Sequence, residues 1–64
     1  MKIKLVKFKD IDMNGSNEID YNLFIGKVYD VVGRDIVMGM RTFAIVNSIG
    51  ETINVLEDEV EIQS

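Results

Sequence analysis

Two alternating runs flank a compact turn between Arg41 and Val55, and no other stretch restricts the architecture of this chain as strongly. Over Arg41 to Asn47, Phe43 and Ile45 fall on one face and Ala44 and Val46 on the other. Ser48-Ile49-Gly50 then turns the chain into Glu51 to Val55, where Ile53 and Val55 alternate with Thr52 and Asn54. A side-chain period of two belongs to strands, because successive Cβ atoms point to opposite faces. Two such runs separated by a short glycine-containing link form a hairpin. A sheet protein is expected.

The rest of the chain supplies partners for that hairpin. Lys2 to Lys9 reads K-I-K-L-V-K-F-K: Ile3 and Leu5 share a face, then Val6 and Phe8 shift the phase, as a bulged or strongly twisted strand would. Asp10 to Asn22 is polar and contains Asn14-Gly15-Ser16-Asn17, so it reads as a long loop, or a flared hairpin with Ile19 and Tyr21 returning inward. A second strand is expected from Phe24 to Val32, with Gly26 as a bend and Gly33 closing it. Glu57-Asp58-Glu59 suits a single 3₁₀ turn before Val60 and Ile62 end the chain as a short strand. Five short strands, one long early loop and a hairpin predict an all-β, five-stranded antiparallel barrel over residues 1–64, as one domain.

Composition narrows what such a domain can do. A chain of 64 residues buries only about 60% of its unfolded surface, so its apolar residues, 47% of the total, are committed to one core. There is no Cys, which excludes disulfides, a thiol nucleophile and thiolate-bound zinc, and no His, the commonest general base. The chain is not expected to be an enzyme or to carry a cofactor. Asp10, Asp12, Glu18 and Asp20 read as solvated loop carboxylates, and the glycines form no phosphate-binding loop. The longest apolar runs, such as Ile36 to Met38, fall far short of the roughly 20 residues that cross a membrane, and Lys2 and Lys4 interrupt any signal-peptide pattern. A cytoplasmic location without membrane partners is the expectation.

The net charge of −4 is unevenly spread. Lys2, Lys4, Lys7 and Lys9 crowd the start, where they suit a solvated strand face that discourages edge pairing. Glu51, Glu57, Asp58, Glu59 and Glu61 load the end. An acidic balance opposes attraction to a phosphate backbone, so nucleic acid is not an expected partner. Arg34 and Arg41 would extend the lysines into a basic patch only if the fold brought them together.

The stretch Leu23-Phe24-Ile25-Gly26-Lys27-Val28-Tyr29-Asp30-Val31, with Phe43 to Asn47, Gly50-Glu51 and Val60-Glu61-Ile62, resembles the small SH3-like barrels of bacteria and their phages. The resemblance spans nearly the whole chain and implies an SH3-like fold. It does not extend to the polyproline-binding relatives. Phe43 falls near the position of their groove tryptophan, Leu56 near their proline and Glu59 near their tyrosine, which removes the aromatic slots a polyproline II ligand needs. The resemblance therefore implies a non-catalytic module of phage or prophage type that binds a host or phage protein.

A second resemblance lies in the early loop. Asp12, Asn14 and Ser16 match the first, third and fifth positions of an EF-hand calcium loop, Glu18 the seventh and Asp20 the ninth. Asn17 stands where that loop has glycine, and Leu23 stands at the twelfth position, where a bidentate glutamate is required. Calcium binding is the alternative reading for this chain.

Ile36-Val37-Met38-Gly39-Met40 is an apolar run in or beside the link between the second and third strands. Methionine adapts to varied surfaces, so apolar residues clustered there mark a contact face, unless they merely extend the strand pair and cover a barrel end. The residues expected to meet a protein partner are Met38, Met40 and Phe43, with Tyr21 in the first loop and Glu57 and Glu59 on the acidic turn. Self-association into a homo-oligomer is a further expectation.

Overall fold

The computed structural model describes residues 1–9 and 17–63. Five strands form one antiparallel sheet: β1 (Lys2–Leu5), β2 (Val28–Val37), β3 (Met40–Val46), β4 (Thr52–Leu56) and β5 (Val60–Ile62). Their order across the sheet is β4-β3-β2-β1-β5. Two 3₁₀ turns interrupt them, at Glu18–Tyr21 and at Glu57–Glu59, the latter as the acidic tripeptide predicts. The outer strands β4 and β5 are joined through that second turn.

The hairpin between β3 and β4 follows the alternation. Phe43 pairs with Val55 and Ile45 with Ile53, placing Phe43, Ile45 and Val55 in the core. Ile3, Leu5, Leu23 and Tyr29 complete the buried cluster. Asn47 organises the turn: its Oδ1 accepts the N–H groups of Ile49 (3.1 Å) and Glu51 (2.8 Å). Such Asx-type bonds hold a turn whose backbone would otherwise lack partners.

The strand bounds differ from expectation by more than one residue in three places, each for a local reason. β1 ends at Leu5 instead of Lys9, because the N–H groups of Val6 and Lys7 both reach the Glu59 carbonyl (2.9 and 3.2 Å). Two successive donors on one acceptor break the ladder and shift the side-chain phase, which explains Val6 and Phe8. β2 begins at Val28, since Gly26 takes φ of 90° in a turn closed by the Lys27 N–H to the Phe24 carbonyl (3.2 Å) and tied to β1 by the Gly26 N–H to the Leu5 carbonyl (2.7 Å). The Tyr29 hydroxyl accepts the Phe24 N–H (2.7 Å) and fastens this turn to the core. Finally, β2 continues through Gly33 to Val37, because the register shift between Val31 and Gly33 leaves Val32 as the extra residue of a bulge, after which Gly33 pairs with Ala44. The first half of β2 pairs with β1 and the second half with β3.

The early loop differs too. Ile19 is exposed, and Leu23 takes the place in the core. The turn at Glu18–Tyr21 starts with a reciprocal capping box: Asp20 N–H donates to Asn17 Oδ1 (3.2 Å) and Asn17 N–H to Asp20 Oδ2 (3.0 Å). It is tied to the far hairpin by Asn47 Nδ2, which donates to the Tyr21 carbonyl (2.8 Å), and by Ser48 Oγ, which donates to that of Asn22 (3.3 Å).

Candidate partner-binding surface

Beyond the core, β2 and β3 run on as a paired arm: Arg34 opposite Phe43, Asp35 opposite Thr42, Ile36 opposite Arg41 and Val37 opposite Met40. Directly opposed residues point to the same face. The face that buries Phe43 and Ile45 therefore continues outward as Arg34, Ile36 and Arg41. The Arg34 guanidinium lies 4.8 Å from the Phe43 ring centroid, a cation–π contact that sets its position. Thr42 is buried, and its hydroxyl donates to the Asp35 carbonyl (3.2 Å).

Met38-Gly39 forms the two-residue tip. Both have positive φ, 53° and 77°, as a type I′ hairpin turn demands. Glycine, asparagine and aspartate suit such a turn, while a longer L side chain in the left-handed region costs about 1–2 kcal/mol. Met38 nevertheless occupies it with 72% of its surface exposed. Ile36 is 68% and Met40 37% exposed on the same arm.

Two shallow grooves separate this arm from the second 3₁₀ turn. One, of about 420 Å³, is lined by Arg34, Asp35, Ile36, Arg41, Thr42 and Glu57. The other, of about 310 Å³, lies between Met40, Arg41, Leu56, Glu57 and Asp58. Arg41 and Glu57 line both. Among the described residues, neither guanidinium lies within ion-pairing distance of a carboxylate; the Lys2–Asp30 pair at 2.6 Å sits on exposed side chains of β1 and β2. No family model, curated protein or solved structure matches this chain.

The fold thus brings Met40 and Glu57 together in one groove, with Met38 at the tip of the same arm, and it separates them from the other residues expected at a contact. Phe43 is 1% exposed, so it serves as the base on which Arg34 rests and presents no surface of its own. Glu59 is also 1% exposed and is turned inward as an acceptor for the Leu56 and Lys9 N–H groups. Burial raises its carboxyl above the ordinary value, and those two bonds oppose the rise only in part. Tyr21 is half-buried against Phe8, with ring centroids 5.5 Å apart, and lies at the Asn47 end of β3, away from Met40.

Ile36, Arg34, Arg41 and Asp58 complete the surface. Their juxtaposition depends on the β2–β3 register that the bulge sets, which no spacing along the chain reveals. Arg34 and Arg41 stand on the arm, beyond the part of β2 that pairs with the lysine-bearing β1, so they do not extend a basic patch.

For the calcium alternative, Asp12, Asn14 and Ser16 lie outside the described residues. The Asp20 carboxylate is engaged with the Asn17 N–H, and Glu18 sits in the same 3₁₀ turn. Among the described residues no group of three or more acidic, His or Cys side chains is placed to hold a metal. A strand lies before this loop and a buried Leu23 after it, where an EF-hand has helices and its last ligand. No helix among the described residues is long and apolar enough to cross a membrane.

Proposed function

We propose that this chain is a small SH3-like barrel of phage or prophage type, and that it acts as a non-catalytic module binding another protein through the β2–β3 arm. The strand order, the bent β2 and the 3₁₀ turn before β5 support the barrel reading. The observation that carries the binding role is Met38. A methionine held at φ of 53° and largely exposed adds nothing to the core, and the turn itself favours asparagine or glycine. Strain kept at an exposed position points to a contact made there. Ile36 on one face of the arm and Met40 on the other flank the tip with apolar surface, and the arginines and acids of the grooves supply its polar rim.

The test is capture of partners from lysate of the source cell by the immobilised chain, then titration of each purified partner against native protein and a Met38→Ser/Met40→Ser variant. The variant is expected to bind at least about tenfold more weakly, the loss that buried methionines produce when removed from an interface. Undiminished binding of every partner, or turnover by the purified chain, overturns the reading.

A further inference from the structure

We infer that the occupant of the β2–β3 arm is a second copy of this chain, packed about a two-fold axis; the inference rests on the binding surface proposed above. Its basis is the distribution of charge. The chain contains two arginines, and the β2–β3 register puts both on one face of the arm. Glu57 and Asp58 line the adjoining grooves with Arg41, and none of the five lysines does. In a molecule of net charge −4, this is a face where the two signs meet in balance around exposed apolar side chains.

That balance selects the occupant. A strongly acidic partner would meet Glu57 and Asp58, and a strongly basic one would meet Arg34 and Arg41. A surface carrying the same mixture satisfies both. In a two-fold interface every contact occurs twice with roles exchanged, so Arg41 of each copy can face Glu57 or Asp58 of the other. The guanidiniums are open for this, since neither pairs with a carboxylate among the described residues of its own chain. Ile36, on the same face as the arginines, and Met38 at the tip then pack at the centre. Arginine and methionine are the residue types interfaces favour, and lysine is depleted there.

Sedimentation velocity of the intact chain from about 1 μM to about 1 mM covers the association range of a small interface. A reversible monomer–dimer equilibrium is expected. Arg41→Glu and Glu57→Arg should each raise the dimer dissociation constant at least about tenfold through like-charge contact, and the Arg41→Glu/Glu57→Arg double variant should recover most of the loss. Met38→Asp provides an independent disruption at a position that tolerates aspartate, with circular dichroism confirming the fold of each variant. Three results overturn the dimer: a monomer at all concentrations, a dimer indifferent to these changes, or a double variant as weak as either single one. A monomer that still loses a foreign partner on Met38→Ser/Met40→Ser substitution overturns the dimer alone and leaves the binding-module reading standing.

Discussion

Glu59 Oε1 accepts the N–H of Leu56 at 2.8 Å, three residues back along the chain. The same carboxylate takes the Lys9 N–H, and the Glu59 carbonyl takes those of Val6 and Lys7. One residue of the acidic turn therefore fastens the end of β4 to the chain leaving β1. Glu59→Ala should strand two backbone donors and cost about 2 kcal/mol or more, read as a lower midpoint in urea unfolding.

The buried Glu59 carboxyl also gives stability a pH signature. Its folded value lies above the ordinary 4.5 because burial disfavours the charge. The folded state then holds the proton more tightly than the unfolded one, so the contribution is full below 4.5 and is lost as pH rises through the folded value. Asp30 runs the other way, since its bond to Lys2 lowers it from 3.8 and its contribution is lost only as pH falls through the lowered value. The stability difference between native protein and Glu59→Gln should therefore shrink as pH is raised from about 4 to about 7, measured by denaturation at each pH.

Asn47 makes four side-chain hydrogen bonds, two that close the β3–β4 turn and two that reach Tyr21 and Glu51. Asn47→Ala should destabilise by about 2 kcal/mol or more. Asn47→Asp keeps the acceptor but loses the donor to the Tyr21 carbonyl, so it should retain the turn while loosening its tie to the first 3₁₀ turn. Amide hydrogen exchange near Glu51 and Asn22 separates the two effects.

Met38→Asn or Met38→Gly should stabilise the chain by about 1 kcal/mol, because either residue accepts positive φ more readily. Stability gained together with partner affinity lost is the trade expected of a strained contact residue. A Met38→Asn variant less stable than the native chain in thermal unfolding would sink this account.

Phe43→Ala removes the largest fully buried side chain and the seat of Arg34. A loss of about 3–5 kcal/mol is expected, a large share of the stability of any domain this small. Circular dichroism should show a largely unfolded chain at 37 °C.

Much of the sheet was legible along the chain. The Phe43/Ile45 and Ile53/Val55 alternation reports which faces are buried, and the acidic tripeptide ahead of Val60 marks a turn, because period and turn chemistry are local properties. Legibility failed where a distant group intervenes. Gly33 looks like a strand end until it pairs with Ala44 of β3 just past the bulge at Val32. Phe43 and Glu59 look like contact residues until packing and two backbone donors draw them inward.

The sequence by itself therefore determined the class of the fold, its five strands, the lack of thiol and imidazole chemistry, and the exposed methionine arm as a region of interest. Only the tertiary structure decided that Arg34, Ile36 and Arg41 share a face beside Glu57, and that Glu59 is a buried fastener. Strand periodicity is written in neighbouring residues, whereas register, burial and charge juxtaposition arise between segments tens of residues apart, where a shift of one position would turn every side chain to the opposite face.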